Sequence, residues 1–326
     1  MLNAAIIGMG KYADRLVSAV QGKSTKIRFM VGATRRPDSG GKFAARHQLT
    51  LAAGYEAVLA DPNIDAVVIA TPHSQHALHV TQAALAGKHV FVEKPFTLTR
   101  ASAEETCRVC ADQAVVLAVG FNSRFRPALI ELKKSVDYGV LGKILHVEGQ
   151  ISGYPGSAAG REDGHWRTVR DENPAGGMTG KGIHLVDQMI WLCGPLASVY
   201  ARSERRVINF DIDDVTTMLL RFRSGASGYL GTLLSTPNYW RLQVFGSNGW
   251  AEVRDETHLT VKHKGEEAQI RTFAPADTRL AELDAFADAI AGVAPYPVTI
   301  AEAINGSAAL EAVEISSRCA GEVHLS

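Results

Sequence analysis

Two rhythms of apolar and polar residues divide the chain. From Asn3 to about Phe121, short unbroken apolar runs (AAIIG, IRFMVGA, DAVVIAT, KHVFVEK and AVVLAVGF) are separated by stretches with apolar residues at helical spacing. A run that is apolar at every position is buried on both faces, and the intervening helices supply the cover, so this part predicts a doubly wound parallel sheet. After Arg124 the strand-like segments ILHVEGQIS, ASVYARSERRV, DVTTMLLRF, ASGYLGTLL, WRLQVFG, WAEV and LTVKH follow one another with turns between them. Strands joined without crossover helices predict a large, open, predominantly antiparallel sheet. Two helices are expected at the end, about Asp277 to Ala291 and Thr299 to Cys319, parted by the breaker APYP.

The fold class is therefore α/β: an N-terminal Rossmann-type sheet followed by an α+β domain. The domain boundaries are expected at 1–122 and 123–298. The final helix, about 299–319, is long enough to return to the first domain. No internal repeat or low-complexity linker interrupts this plan.

Composition narrows the function. The chain has 326 residues, 46% apolar and 21% charged, which suits roughly two globular domains. Lys plus Arg equals Asp plus Glu at 34 each, and no basic run is interleaved with aromatics, so a nucleic-acid groove or an anionic membrane surface is not expected. The longest apolar runs fall far short of the roughly 20 residues that span a bilayer. MLNAAIIGMG lacks a basic leader and reads as a first strand, not a signal peptide, so a cytoplasmic protein is expected. The four cysteines are Cys107, Cys110, Cys193 and Cys319; CRVC lies in a helical stretch without a second ligand pair, so the thiols read as structural and no metal site is expected. The partner is a small molecule.

IIGMGKYA places Gly8, Gly10 and Ala13 in the G-x-G-x-x-[GA] spacing, after a strand and at the start of a helix. The first glycine permits the tight turn, the second admits a pyrophosphate to the backbone, and the small third residue lets helix pack on strand. Lys11 and Tyr12 fill the variable positions and count among the cofactor contacts. An NAD site normally carries Asp or Glu at the end of the second strand. Here Thr34, Arg35 and Arg36 stand there and Asp38 lies beyond Pro37. Guanidiniums suit a 2′-phosphate, so NADP(H) is expected over NAD(H), which is not excluded. ATPHSQHA follows a later strand at its ligand edge, where Thr71 and Pro72 would line the nicotinamide. His73, His76 and His79 have no acidic residue beside them at ligand spacing and read as turn and helix-face residues, with His76 placed among the cofactor contacts.

VFVEKPF ends the next strand with Glu93, Lys94 and Pro95, and the proline both ends the ladder and holds Lys94 extended at the ligand edge. These three are also expected near the cofactor. GMGKYA, ATPHSQH, VEKP and GIHLVD, in that order and followed by a β-rich half, resemble the Gfo/Idh/MocA oxidoreductase family over nearly the whole chain. The resemblance implies a Rossmann domain, an open sheet presenting the substrate site, and dimers or tetramers. It also implies that Lys94 is the acid/base for an alcohol and carbonyl pair, with His184 as its partner.

One position departs from the family. Relatives that oxidise sugars or cyclitols commonly carry Asp four residues before the histidine, and here that residue is Gly180, beside Lys181. A differently oriented or anionic substrate is one consequence, with Lys181 as a substrate contact. Asp187 matches a family position of structural type. Asn122, Arg124 and Arg126 in GFNSRFRP are open to two readings, Arg124 as a substrate clamp or as a joint after the first domain, with Asn122 among the cofactor contacts. GREDGHWRT, with SGYPGSAAG before it, reads as a loop over a pocket, with His165, Trp166 and Arg167 as substrate contacts; Tyr239 and Trp240 read as strand-packing aromatics. The function expected is hydride transfer between NAD(P) and a hydroxyl or ketone of a sugar, cyclitol or hydroxylated aromatic acid. The alternatives are a lyase or epimerase using retained cofactor for transient oxidation, and a non-catalytic dinucleotide-binding sensor.

Overall fold

The unbroken apolar runs of the first half form one parallel sheet. Its strands are β1 (Leu2–Ile7), β2 (Ile27–Ala33), β3 (Thr50–Leu51), β4 (Ala66–Ile69), β5 (His89–Glu93) and β6 (Leu117–Gly120), in the order β3-β2-β1-β4-β5-β6. Ala4 to Ile7, Ala66 to Ile69 and Val90 to Val92 are all buried, as strands covered on both faces must be. The helices are α1 (Lys11–Val20), α2 (Pro37–His47), α3 (Tyr55–Ala60), α4 (His76–Leu85) and α5 (Arg100–Asp112). On α1, Ala13, Leu16, Val17 and Val20 form the buried stripe that helical periodicity requires. The order reverses between β1 and β4, the place where a doubly wound sheet opens a crevice at its strand ends. The structure is a computed structural model that describes residues 1–153 and 165–325, with backbone alone at 37–39.

Two compact units result. The first comprises Met1–Thr97, Ala101–Asn122 and Asp277–Ile300; the second comprises Leu98–Arg100, Ser123–Ala276 and Ala301–Ser326. The last helix groups with the second unit, and the helix before it groups with the first. It packs on α1, buries Leu283 and Phe286, and is tied by Ser24 Oγ to Asp284 at 2.5 Å and by Lys26 Nζ to Asp288 at 2.7 Å. Tyr296, farther along the same segment, donates its hydroxyl to the Val119 carbonyl of β6 at 3.1 Å.

In the second unit come α6 (Pro127–Asp137), β7 (Ile144–Ser152), α7 (Ile183–Cys193), β8 (Leu196–Glu204), β9 (Val215–Phe222), β10 (Ser227–Leu233), β11 (Tyr239–Gly246), β12 (Gly249–Val253), β13 (His258–His263) and β14 (Gln269–Thr272). After α8 (Thr278–Ile290), the helix of the first unit described above, come α9 (Ile300–Cys319) and β15 (Val323–His324). The sheet order is β14-β13-β12-β11-β7-β10-β9-β8-β15, antiparallel throughout except for β7 beside β10. Alternation in β9 explains its sidedness: Thr216, Met218, Leu220 and Phe222 are buried, while Thr217, Leu219 and Arg221 are exposed. α7 lies on β7, where Gly149 admits Leu185 and Met189, and Ser316 of α9 accepts from the Ala201 amide of β8 at 2.8 Å. Among the described residues no helix is long and apolar enough to cross a membrane.

Candidate functional site

The glycine turn is built for close approach. Gly8 has φ +87°, and a Cβ there would stand 2.7 Å from the Ala70 carbonyl oxygen and 3.0 Å from Thr71 Cγ2, so any side chain would wedge β1 from the end of β4. Its amide donates to the Ala33 carbonyl at 2.9 Å, which holds the turn against β2. Gly10 is the N-cap of α1; no side chain caps that end, and nothing stands within 4 Å of where its Cβ would be. Uncapped amides facing open space at a helix N-terminus fit the pyrophosphate of a dinucleotide. Ala13 is buried against the sheet, as its place in the motif requires. Lys11 is exposed.

Around this turn the strand ends gather titratable groups. His76 is wholly buried, with Nδ1 2.7 Å from the Pro95 carbonyl and Nε2 3.1 Å from the Thr71 carbonyl. Both partners are acceptors, so the ring bridges the segments that follow β4 and β5. Buried between these two carbonyls, the ring acts as a brace. His79 Nδ1 stands 3.1 Å from Thr71 Oγ1, and burial together with the nearby Arg35 cation lowers its pKa. Thr71 and Pro72 are half-buried. Thr34 Oγ1 accepts from the Arg36 amide at 3.3 Å, and Arg35 and Arg36 are exposed.

Glu93 is buried, Lys94 half-buried, and the Lys94–Pro95 bond is cis. Gly120, opposite Glu93 in the β5–β6 register, leaves room for the carboxylate: a Cβ there would lie 2.9 Å from Glu93 Oε1. Glu282 of α8 was not foreseen. It is fully buried, and neither carboxyl oxygen has a hydrogen-bond partner among the described residues. Burial pushes its carboxyl well above the usual range, Glu93 adds to this, and the Arg279 and Lys94 cations offset part of it. Arg279 also lies 5.8 Å over the Tyr12 ring, whose hydroxyl is held well above its ordinary pKa by burial and then by Glu93 and Glu282. The signal for Glu282 lies in the spacing: Arg279, Glu282 and Phe286 share one helical face, an acid on a stripe otherwise bound for the core. Asn122 Nδ2 donates to Thr278 Oγ1 at 2.8 Å, within the same unit.

The second unit contributes a separate set. Arg124, one of the two readings of which was a substrate clamp, is buried. Its guanidinium donates to Asp187 through Nε at 2.8 Å and Nη2 at 2.6 Å, and to Glu302 through Nη1 at 3.0 Å, and lies 5.1 Å from the Trp191 ring centre. Burial works against the charge, but the two carboxylates outweigh it and hold the Arg124 pKa above its ordinary value. Held this way, the guanidinium is paired with two carboxylates of the same unit, and Asp187 is buried with it. The neighbouring Ser123 Oγ stands 3.2 Å from His184 Nδ1, and His184 is half-buried. Lys181 is half-buried and donates to the Gly153 carbonyl at 2.8 Å. His165, Trp166 and Arg167 stack on one another: His165 lies 5.9 Å from the Trp166 ring, and Arg167 3.9 Å above it. Arg126 lies 5.1 Å over Trp240. The glycine-bearing stretch 154–164, read as a loop over a pocket, is outside the described residues. Burial pushes the thiols of Cys107, Cys110 and Cys193 up to about 12, 11 and 12.

Comparison with known proteins bears on the whole chain. Residues 2–121 match the profile described as the GFO/IDH/MocA oxidoreductase family with an NAD-binding Rossmann fold, and residues 129–252 match the C-terminal domain of the same family. The chain belongs to the GFO/IDH/MocA family. Similar curated proteins include an uncharacterised oxidoreductase of Schizosaccharomyces pombe, 33% identical over 56% of this chain and 49% of the relative. Another is the scyllo-inositol 2-dehydrogenase (NAD(+)) of Bacillus subtilis, 31% identical over 59% of this chain and 56% of the relative. The matches span about half the length of these curated relatives. Among solved structures, a levoglucosan dehydrogenase in complex with NADH and levoglucosan has the same fold, with TM-score 0.90 and 23% identity over 99% of both chains.

Two outcomes follow from the charges. A carboxyl that stays protonated when folded and ionises when unfolded contributes its stability at low pH and loses it as pH rises past about 4.5 toward its folded value. Glu282→Gln is therefore expected to raise Tm at pH 8 more than at pH 5, measured by thermal melts across that range. Arg124→Met leaves Asp187 buried without its cation and is expected to cost about 3–5 kcal/mol in denaturant unfolding. Arg124→Met with Asp187→Leu should recover much of that loss.

Proposed function

We propose that the protein is an NAD(P)-dependent oxidoreductase that transfers a hydride between nicotinamide and a hydroxyl or ketone carbon of a small polar ring compound. The reading rests on one observation above all. In a single unit, the open glycine turn of α1 and the half-buried Lys94 both stand at the C-terminal ends of parallel strands, where this fold binds its ligand. The name of the scyllo-inositol 2-dehydrogenase relative supports a cyclitol or sugar-like ring.

Gly8, Gly10 and Ala13 with the first turn of α1 would hold the pyrophosphate, and Thr71 and Pro72 would flank the nicotinamide. A bound nicotinamide supplies the hydride acceptor or donor. The chain supplies the proton chemistry: as the carbinol carbon is oxidised, the hydroxyl proton passes to Lys94 Nζ, and in reduction Nζ returns it to the carbonyl oxygen. His184, hydrogen-bonded to Ser123, is the second group that the family resemblance assigns to proton transfer. Thr34, Arg35 and Arg36, with no acidic residue at the end of β2, favour NADP(H) through charge-assisted contacts to a 2′-phosphate. The exposed cross-strand pair Leu219 and Tyr229 on the outer face of the second sheet supports a homo-oligomer.

Lys94→Ala is expected to lower kcat by roughly 10²-fold or more with cofactor affinity retained. Lys94→Arg, which keeps the charge but holds its proton too tightly, should be similarly impaired. Unchanged turnover in both variants on a compound the wild type oxidises would remove Lys94 from the chemistry. Titration of NADPH and NADH against protein fluorescence should give NADPH the lower Kd by about tenfold, narrowing in the Arg35→Ala, Arg36→Ala double variant. Tighter binding of NADH would reverse the assignment.

A further inference from the structure

Phe91 and Glu93 share one face of β5, since alternate side chains of a strand point the same way, and a Cβ on Gly120 of β6 would meet both Phe91 Cζ and Glu93 Oε1 at 2.9 Å. On α8, Glu282 and Phe286 lie at i and i+4, and so on one helical face. The two faces meet: the Phe91 and Phe286 rings pack edge to face with centres 5.8 Å apart. From Phe91 to Glu93 the strand runs toward its ligand edge, and from Phe286 back to Glu282 the helix runs toward its start. That start is held at the same edge. Asn122, just past β6, donates to Thr278 Oγ1 at 2.8 Å, and the Asp277 side chain caps the helix by accepting from the Arg279 and Leu280 amides. Glu282 therefore comes to Glu93 within one layer of the first unit, and Lys94 is the next residue along the chain.

A carboxylate that serves only the core is normally paired and hydrogen-bonded. Glu282 is wholly buried, and among the described residues neither of its oxygens has a hydrogen-bond partner. The titratable and charged groups that bear on it are Glu93 and Lys94 at the end of β5, Tyr12 on α1, and Arg279 and Asp277 on its own helix and cap. Burial and then Glu93 favour the protonated acid, while the Arg279 and Lys94 cations favour the carboxylate. The influence of two titrating groups on one another is reciprocal. If the Lys94 ammonium draws the proton from Glu282, an ionised Glu282 makes Lys94 hold its own more tightly.

We propose that Glu282 is a positioning residue for proton transfer at Lys94: while Glu282 keeps its proton, the ammonium faces one carboxylate fewer and gives up its own proton more readily. This rests on the oxidoreductase reading and adds to it a residue that acts through Lys94. Even a buried glutamic acid ionises below an ordinary lysine, so as pH rises Glu282 is the first of the two to lose its proton. Lys94 then titrates against the charge left behind. A neutral side chain at 282 removes that charge at every pH and leaves Lys94 the more easily deprotonated.

An NMR titration of the full chain, labelled with ¹³C at the lysine Cε, tests this, the Lys94 resonance being assigned by its loss in Lys94→Arg. In the wild type that resonance is expected to sense two steps, that of Glu282 and its own. In Glu282→Gln, and equally in Glu282→Met, a single step should remain with its midpoint about one pH unit lower. The acid limb of kcat/KM, for oxidation of a compound the wild type oxidises, should move the same way, because the rate follows the unprotonated lysine. A Lys94 midpoint that is unchanged or raised in both variants overturns the proposal and leaves the oxidoreductase reading intact. Activity that falls equally at every pH, with the limb in place, is the mark of a merely structural residue and also overturns it. A lowered midpoint, with no reduction of either nicotinamide by any sugar, cyclitol or hydroxy acid, upholds the coupling of Glu282 to Lys94 and overturns the redox reading instead.

Discussion

A guanidinium that has left water sets the geometry of the second unit. Arg124 is among the largest fully buried side chains, and such a charge is tolerable only with near-complete pairing, which Asp187 and Glu302 provide at 2.6 to 3.0 Å. Asp187 lies on α7 and Glu302 on α9, so both helices must meet the short turn Asn122–Phe125 at fixed positions. His184 sits one turn before Asp187 on α7, and Ser123 directly precedes Arg124. The hydrogen bond between Ser123 and His184 is then a consequence of the buried pair beside it. A histidine that would otherwise be one more residue of an apolar helix is held by one edge of its ring.

The first unit solves a related problem with the opposite sign. Two carboxyls, Glu93 and Glu282, are buried near one another, and Arg279 and Lys94 offset only part of the cost. Glu282 therefore favours keeping its proton in a place from which water is excluded. His76 braces the two segments that frame this place, its ring bridging the Thr71 and Pro95 carbonyls. Pairing of this kind keeps the strand ends rigid while Lys94, half-buried, stays at the surface of the cluster.

Much of the fold was legible because its signals are local. Seven second-half strands follow from alternation or apolar runs, and the break between the last two helices follows from the prolines of APYP. The strands that escaped, Thr50–Leu51, Gln269–Thr272 and Val323–His324, are short or exposed and carry no periodic pattern for a reader to find. AVVLAVGF yields a strand only at Leu117–Gly120, because Ala114 turns with φ +52°. The glycine turn was readable for a similar reason: its spacing is a requirement of one loop, and Gly8 meets that requirement against Ala70.

The sequence alone determined the order of elements, the doubly wound sheet, the dinucleotide turn and the residue types at each strand end, since neighbours along the chain fix these. Only the tertiary structure decided what those residues do. Arg124 finds Asp187 across 63 positions and Glu302 across 178, and no local pattern announces either partner. The same holds for His76, closed off by two carbonyls, for Glu282, brought to Glu93 from a helix near the end of the chain, and for the last helix, which joins the second unit and not the first. Burial and pairing are properties of the packed chain, because a charge or polar group is costly or useful only according to what surrounds it once water has gone.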